Sequence, residues 1–480
     1  MIRSRGYRQI CILLGCVLLL AGAYRMLAVA THVPVLGYAN NYDMVRIQGC
    51  FHIWPVGASN PYAKSPAAPL PLYAVDRHIP GGCYVSSELL LVAPAFAYAL
   101  TQPHHTFSLR VVGCTKAAIW VALVGVVAWL LWRQGDAGAF VFHAALFCVL
   151  ICDPANTLYL NTFYAESSLL MFCYCALSAL YFLGRGHSRR RTLCFLAALI
   201  LLGMTKQQSL GVAAALALGA ICVLAVRRAR RETLAVTLVF AAICAAQAVN
   251  FARMKNTELA NATDTFLGAV LPNAPDRVAA LQTLGLPAHC LADIGKTWFS
   301  PGVSTSHPCP EVGAVSRARL LKLFLLQPPA LVAVTDTGVR RVRPWLLTYL
   351  GHVAGKRYAK LADFSLNRLV IAMPDTFWMF LFLAPGIAGS AALLLLREQV
   401  ITRSFWLLAS AMALSMYAVF YSAVFGDGFF ELSKHNYLFF NLMLGFYLLA
   451  AAYAGSSVTG LLSRWRSSRR FRVARVAAID

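Results

Sequence analysis

The chain has 480 residues, 59% of them hydrophobic and only 13% charged, with a formal net charge of +23. Apolar runs of about 20 residues recur along it, which excludes a soluble domain and reads as an all-α polytopic membrane protein. The basic excess does not point to nucleic acid, whose binders carry basic patches on soluble modules.

Twenty of the 42 Lys and Arg residues fall in six short segments: 1–8, 133–138, 185–192, 227–232, 397–403 and 463–480. Basic residues at short membrane flanks mark the cytoplasmic side. Fifteen of the 19 Asp and Glu residues fall on the other side, several of them in aromatic-rich segments at the ends of spans.

The first apolar run, 9–30, follows Arg3, Arg5 and Arg8 as a signal peptide would. No small-residue cleavage site follows it, so an uncleaved first helix is expected. Further spans are expected at 109–132, 137–152, 162–184, 192–206, 208–226, 233–252, 374–396, 403–425 and 436–457. These ten, within a range of 9–12, put every basic segment on one side and both termini in the cytoplasm. The compartment expected is a bacterial inner membrane.

Residues 31–108 form a first outer loop, in which 86–100 is too short to span safely and reads as an interfacial or re-entrant helix. Residues 153–161 read as an outer turn. Residues 192–226 cross twice between two Arg clusters, in about 35 residues at ~1.5 Å each, which puts the turn Thr205-Lys206-Gln207-Gln208 in the outer headgroup layer. In the second outer segment, weakly apolar pieces around 318–334 and 344–355, the former broken by Pro328-Pro329, read as amphipathic helices on the leaflet. Three regions follow: 1–252 as a membrane module with the first loop, 253–373 as the large outer segment, and 374–480 as the last spans and a basic tail. No internal repeat supports an inverted-repeat transporter.

Ten of the 14 cysteines lie within or at the ends of apolar runs and read as packing residues. Cys50, Cys83, Cys290 and Cys309 lie two to each outer segment, and Cys50–Cys83 and Cys290–Cys309 disulfides are expected in an oxidising compartment. His289-Cys290 and His307-Pro308-Cys309 resemble a metal set, for which disulfides are the better account.

Four constellations carry candidate chemistry. Asp43 lies beyond the first span with Asn40, Asn41, Tyr42 and Arg46 beside it, and serves as a general base or as half of an ion pair with Arg46. Asp153 and Asn156 precede Asn161, Tyr164 and Glu166. An acid just inside a span is costly and usually faces a polar cavity, whereas Asp153 before Pro154 equally caps a turn. Lys206 and Gln207 sit in the tight turn, where a cation suits a lipid phosphate or simply snorkels. Asp427, Glu431, Lys434 and His435 lie among aromatics that could stack on sugar rings, or that form an interfacial belt. No phosphate-binding glycine loop, nucleophile elbow or HExxH is present, and the short cytoplasmic loops leave no room for an ATP-binding domain.

This layout resembles the GT-C superfamily of integral-membrane glycosyltransferases. The shared features are about ten spans, an acid after the first span (Asp43), an aromatic–acid cluster opening a later span (Asn161-Thr162-Phe163-Tyr164-Ala165-Glu166) and a large outer loop. The resemblance implies transfer of a hexose or pentose from a polyprenyl-phosphate carrier to a glycan, lipid or protein acceptor on the periplasmic side, with inversion. It makes Asp43 the expected base, with Glu166 the other carboxylate that qualifies. Lys206, Lys434, His435 and Arg46 would hold the donor phosphate, and Asn41, Tyr42, Asp153, Asn161, Tyr164, Gln207, Asp427 and Glu431 the substrates. No cofactor is required; a divalent metal is compatible, but no ligand set demands one. The rival enzyme is an O-antigen polymerase or ligase using Arg317, Arg340, Arg341, Arg343 and His352. The rival transporter, a lipid-linked-glycan flippase, needs charges spread through the membrane, whereas only Arg25 and Lys116 are basic residues well within spans.

Overall fold

The computed structural model describes residues 5–38, 44–57, 70–79, 81–252, 255–342, 374–394 and 400–455. Among them, seven helices are long and apolar enough to cross a bilayer: Arg8–Thr31, Arg110–Arg133, Glu166–Arg185, Ser209–Val226, Arg230–Ala252, Phe405–Asp427 and Tyr437–Gly455. The central one is Glu166–Arg185, of which 67% is buried, against 22% for Arg8–Thr31 and Arg230–Ala252 at the rim. The chain is an all-α polytopic membrane protein.

The other three expected spans are also helices, two of them short. Ala137–Ile151 and Arg189–Gly203 have 15 residues each, about 22 Å at 1.5 Å per residue, against a hydrocarbon core of ~30 Å. Asp375–Leu394 carries Pro385 in its interior. Pro385 has no N–H to offer the carbonyl of Leu381, and the Tyr447 hydroxyl donates to that oxygen instead, at 2.8 Å. A neighbouring side chain thus satisfies the backbone where no water reaches.

The stretch expected as an outer turn, 153–161, is buried throughout. Irregular backbone survives at membrane depth only inside protein, and its polar side chains show how. Asp153 caps the short helix Pro154–Thr157 by accepting from Ala155 N at 2.9 Å. Asn156 donates to Leu150 O and exchanges two hydrogen bonds with Asn441, at 2.7 and 3.0 Å. Asn161 donates to Val29 O and Leu36 O, 3.2 and 2.7 Å away. Asp153 and Asn161, both expected to hold substrate, are buried here and each bonds the backbone.

The first outer segment contains a sheet that the sequence did not announce. Strands β1 (Ile53–Pro55), β2 (Leu72–Val75) and β3 (Thr106–Ser108) pair antiparallel in that order, with Trp54 opposite Ala74 and Tyr73 opposite Phe107. Tyr73, from β2, meets Phe163 edge-on at 5.1 Å, so the sheet packs on the bundle end that carries Glu166. The disulfide Cys50–Cys83 closes this segment, and helix Glu88–Leu100 leads out of it.

The second outer segment has its own core, built from Phe266, Val270, Leu281, Leu284, Val312 and Leu323 around the Cys290–Cys309 disulfide. Helices Arg317–Leu326 and Pro328–Arg341 meet at 108° across Gln327, which is the break expected at Pro328-Pro329. The piece expected around 344–355 lies outside the described residues.

Gly113 packs on the Asn161 side chain, and a Cβ there would overlap its Oδ1. Because both amide hydrogen bonds pin Asn161, Gly113→Val is expected to cost about 1–3 kcal/mol. A lowered thermal midpoint of the purified protein in detergent would show it.

Candidate active site

Glu166 opens its helix, where a carboxylate is favoured by the dipole. Its Oε1 lies 2.7 Å from Lys206 Nζ. Lys206 is presented by the turn between Arg189–Gly203 and Ser209–Val226, which Ser209 closes by donating to Lys206 O. Ser86 and Ser87, just before helix Glu88–Leu100, clamp that turn through Thr205 O and Thr205 Oγ1, at 2.7 and 2.9 Å.

The next residue, Glu88, is the acid that sequence reading missed. It is wholly buried and forms an ion pair with the equally buried Lys116 at 2.5 Å. Lys116 also donates to Thr162 O at 2.7 Å, in the loop that leads to Glu166. Ser168 lies within hydrogen-bonding reach of the Glu88 carboxylate, which also feels the charge of Glu166. The available signal was Lys116 itself, since a lysine inside a span requires a buried acid partner.

The loop 427–435 completes the cluster. Gly428 has φ 61° and its Cα faces the Asp264 carbonyl, where a Cβ would collide. Glu431 adopts the left-handed region at φ 45°, an expensive conformation for a non-glycine residue and one that concentrates at functional sites. Lys434 Nζ lies 2.6 Å from Glu431 Oε2 and 5.5 Å above the Tyr164 ring. His435 Nε2 lies 2.7 Å from Asp427 Oδ2, and Gln208 Nε2 donates to His435 Nδ1 at 2.9 Å. That assignment leaves the ring proton on Nε2, facing the carboxylate.

Of the four residues expected to take phosphate, Lys206, Lys434 and His435 each face a carboxylate. Exposure separates the pairs. The Glu166 and Lys434 side chains are 2% and 4% exposed, whereas Lys206 and Glu431 retain 21% and 23%. A ligand arriving from solvent thus meets Lys206, Glu431, Asp427 and His435. Gln207 shares the turn, its amide nitrogen buried without a partner. Arg46 is exposed and acts electrostatically on the Tyr84 hydroxyl, which bonds the Gln207 backbone and Gln247. Arg46 therefore lies at the edge of this cluster. Asn41, Tyr42 and Asp43 lie outside the described residues.

Asp264, at the end of helix Lys255–Thr265, was not singled out in the sequence either. Burial, followed by the neighbouring charge of Asp427, pushes its carboxyl from 3.8 up to about 7, against the Trp298 N–H bond that favours the charged form. Elsewhere, His289, Cys290 and Glu311 are close enough to hold a metal ion. Cys290 is committed to its disulfide, which leaves an exposed His289–Glu311 pair at 3.5 Å.

The cluster sits at the bundle end opposite the Arg185–Arg191 and Arg227–Arg231 turns. The family described as the YfdI N-terminal transmembrane domain matches residues 58–467. The chain belongs to this family. The match spans both outer segments beyond residue 57 and takes in Glu88, Lys116, Glu166, Lys206, Asp264 and the loop 427–435, while Asp43, Arg46 and Cys50 precede it. No curated protein and no solved structure matches the chain.

Glu88→Gln leaves Lys116 charged and buried without its acid, and is expected to cost about 3–5 kcal/mol. Glu88→Gln with Lys116→Met should recover much of that loss, as read by yield and thermal midpoint in detergent. For Asp264, the folded form holds its proton more tightly than the unfolded chain. Stability should therefore fall as pH rises from about 4 to about 7 and level off above. Asp264→Asn should flatten that part of the midpoint–pH curve.

Proposed function

We propose that the chain is a GT-C-type glycosyltransferase that moves a hexose or pentose from a polyprenyl-phosphate carrier to a glycan, lipid or protein acceptor. The observation that carries this reading is the convergence of two lysine–carboxylate pairs, Lys206–Glu166 and Lys434–Glu431, and the His435–Asp427 pair at one bundle end. Lipid-phosphate chemistry needs cations at headgroup depth and a carboxylate at the same height. The two disulfide-closed segments lie at this end and support a periplasmic site in an inner membrane, with both termini cytoplasmic.

In a single displacement the acceptor oxygen attacks the anomeric carbon as the bond from that carbon to the phosphate oxygen breaks. The acceptor proton passes to a carboxylate, and the electron pair leaves with the polyprenyl phosphate. The half-open Lys206 and His435 are placed to take the phosphate charge, with Arg46 at the edge. As phosphate oxygens replace Glu166 on Lys206, Glu166 is released to accept a proton. Asp43 is the other candidate base. Fixed cations suffice for such a leaving group, so the reaction requires no metal.

The purified protein should release polyprenyl phosphate from a polyprenyl-phosphate sugar. Lys206→Ala and His435→Ala should raise the donor KM about tenfold, and Glu166→Gln should lower kcat about 10²-fold or more. Asp43→Asn decides between the two bases: if it alone abolishes transfer, the role belongs to Asp43. Absence of turnover with every common sugar would sink the reading, as would a cytoplasmic signal from reporters fused after residues 60, 300 or 430.

A further inference from the structure

One surface next to the cluster is built for a ligand of a different kind. Phe299 stacks on Phe430 with centroids 4.3 Å apart and planes at 20°, which joins the second outer segment to the loop 427–435. Beside them, Trp298 stacks on His307 at 5.1 Å and 22°. Phe299 remains 64% exposed and His307 is exposed as well. The rings are fixed from below, where the Trp298 N–H donates to Asp264 Oδ1 at 2.7 Å and Gly428 lies against the Asp264 carbonyl.

The flanks of these rings are polar. Ser304, Thr305 and Ser306 are exposed on one side, and Lys296 pairs with Asp293 at 2.7 Å on the other. A lipid chain laid here would strip water from those groups and offer nothing in return. A sugar ring has the matching pattern, an apolar C–H face bordered by hydroxyls. Asp427 lies within electrostatic reach of Asp264 and is paired with His435, which Gln208 connects to the Lys206 turn. The ledge is therefore continuous with the cation cluster. The Asp427 carboxylate at its edge disfavours an acidic sugar, so a neutral one fits best.

We propose that this ledge is the acceptor subsite and binds a neutral hexose unit of a glycan, with the outer face of Phe299, backed by Phe430, under the ring and Asp427 on its hydroxyls. The assignment rests on the transferase reading and narrows its acceptor from three classes to a glycan. The open Phe299 face grips weakly and without regard to hydroxyl stereochemistry, while the Asp427 carboxylate supplies direction.

The test is calorimetric titration of the full-length protein in detergent with neutral oligosaccharides of glucose, galactose, mannose and rhamnose. At least one should bind saturably in the millimolar range. Phe299→Ala should weaken it about tenfold, and Phe299→Tyr should keep it; the exposure of Phe299 makes both variants compatible with folding. No saturable binding across the panel, or equal binding in Phe299→Ala, overturns the proposal. So does protection of a Phe299→Cys thiol from maleimide by polyprenyl phosphate but not by oligosaccharide. Sugar binding with no donor turnover in the wild type would retain the ledge as a glycan site while sinking the transferase reading.

Discussion

The buried ion pair between Glu88 and Lys116 ties together three pieces of chain that are far apart in sequence. Neither side chain touches solvent, and in a low-dielectric interior each charge is tolerable only because the other is there. Through the pair, the short helix Glu88–Leu100 is fixed against Arg110–Arg133, and through Thr162 O the lysine also fixes the loop ahead of Glu166. Ser86 and Ser87 then bind the Lys206 turn. Glu166 and Lys206 thus inherit their positions from a pair that solvent cannot reach. A hydrophobic pair of the same volume would cost less to bury, but it would not fix which residue faces which.

Around that anchor the charges are balanced in close pairs. Balance keeps the ligand-free cluster stable, because no cation is left to be desolvated alone. It also shapes how an anion would enter on the proposed reading. A phosphate does not fill an open cation; it exchanges with a carboxylate that already occupies the same geometry. The cost of exchange is lowest where the pair is partly wet, at Lys206 and at His435–Asp427. Lys434, nearly buried between Glu431 and the Tyr164 ring, is the member least free to exchange and the best placed to hold the loop in shape.

Hydropathy was enough to place a helix at each of the ten expected positions, seven of them long and apolar enough to span, because a run of apolar residues has few other fates. The tight turn at Lys206 followed from chain length alone, and the pairing of the four outer cysteines from their distribution between two segments. What escaped was non-local. The strands β1, β2 and β3 are three or four residues long and scattered over residues 53–108, too short for periodicity to register. Glu88 was not singled out because its partner lies 28 positions away, and Asp264 gains its character from burial and from Asp427, which is far from it in sequence. The capping of a turn by Asp153 was one of its two legible readings, whereas the carbonyls of Val29 and Leu36 that Asn161 bonds lie more than 120 positions away.

That last point bears on how a site can exist here at all. A bundle end inside a membrane must satisfy every exposed carbonyl before it can spare a side chain for a substrate. The stretch 153–165 solves this with asparagines and a capping aspartate. The helix Asp375–Leu394, with Pro385 inside it, solves it with the Tyr447 hydroxyl on Leu381 O. With the irregular backbone satisfied by groups that face inward, Lys206, Asp427, Glu431 and His435 remain partly accessible at the surface. The polar residues deepest in the bundle maintain the scaffold, and those one layer outward are the ones a ligand can reach. Depth, more than residue type, separates the two roles.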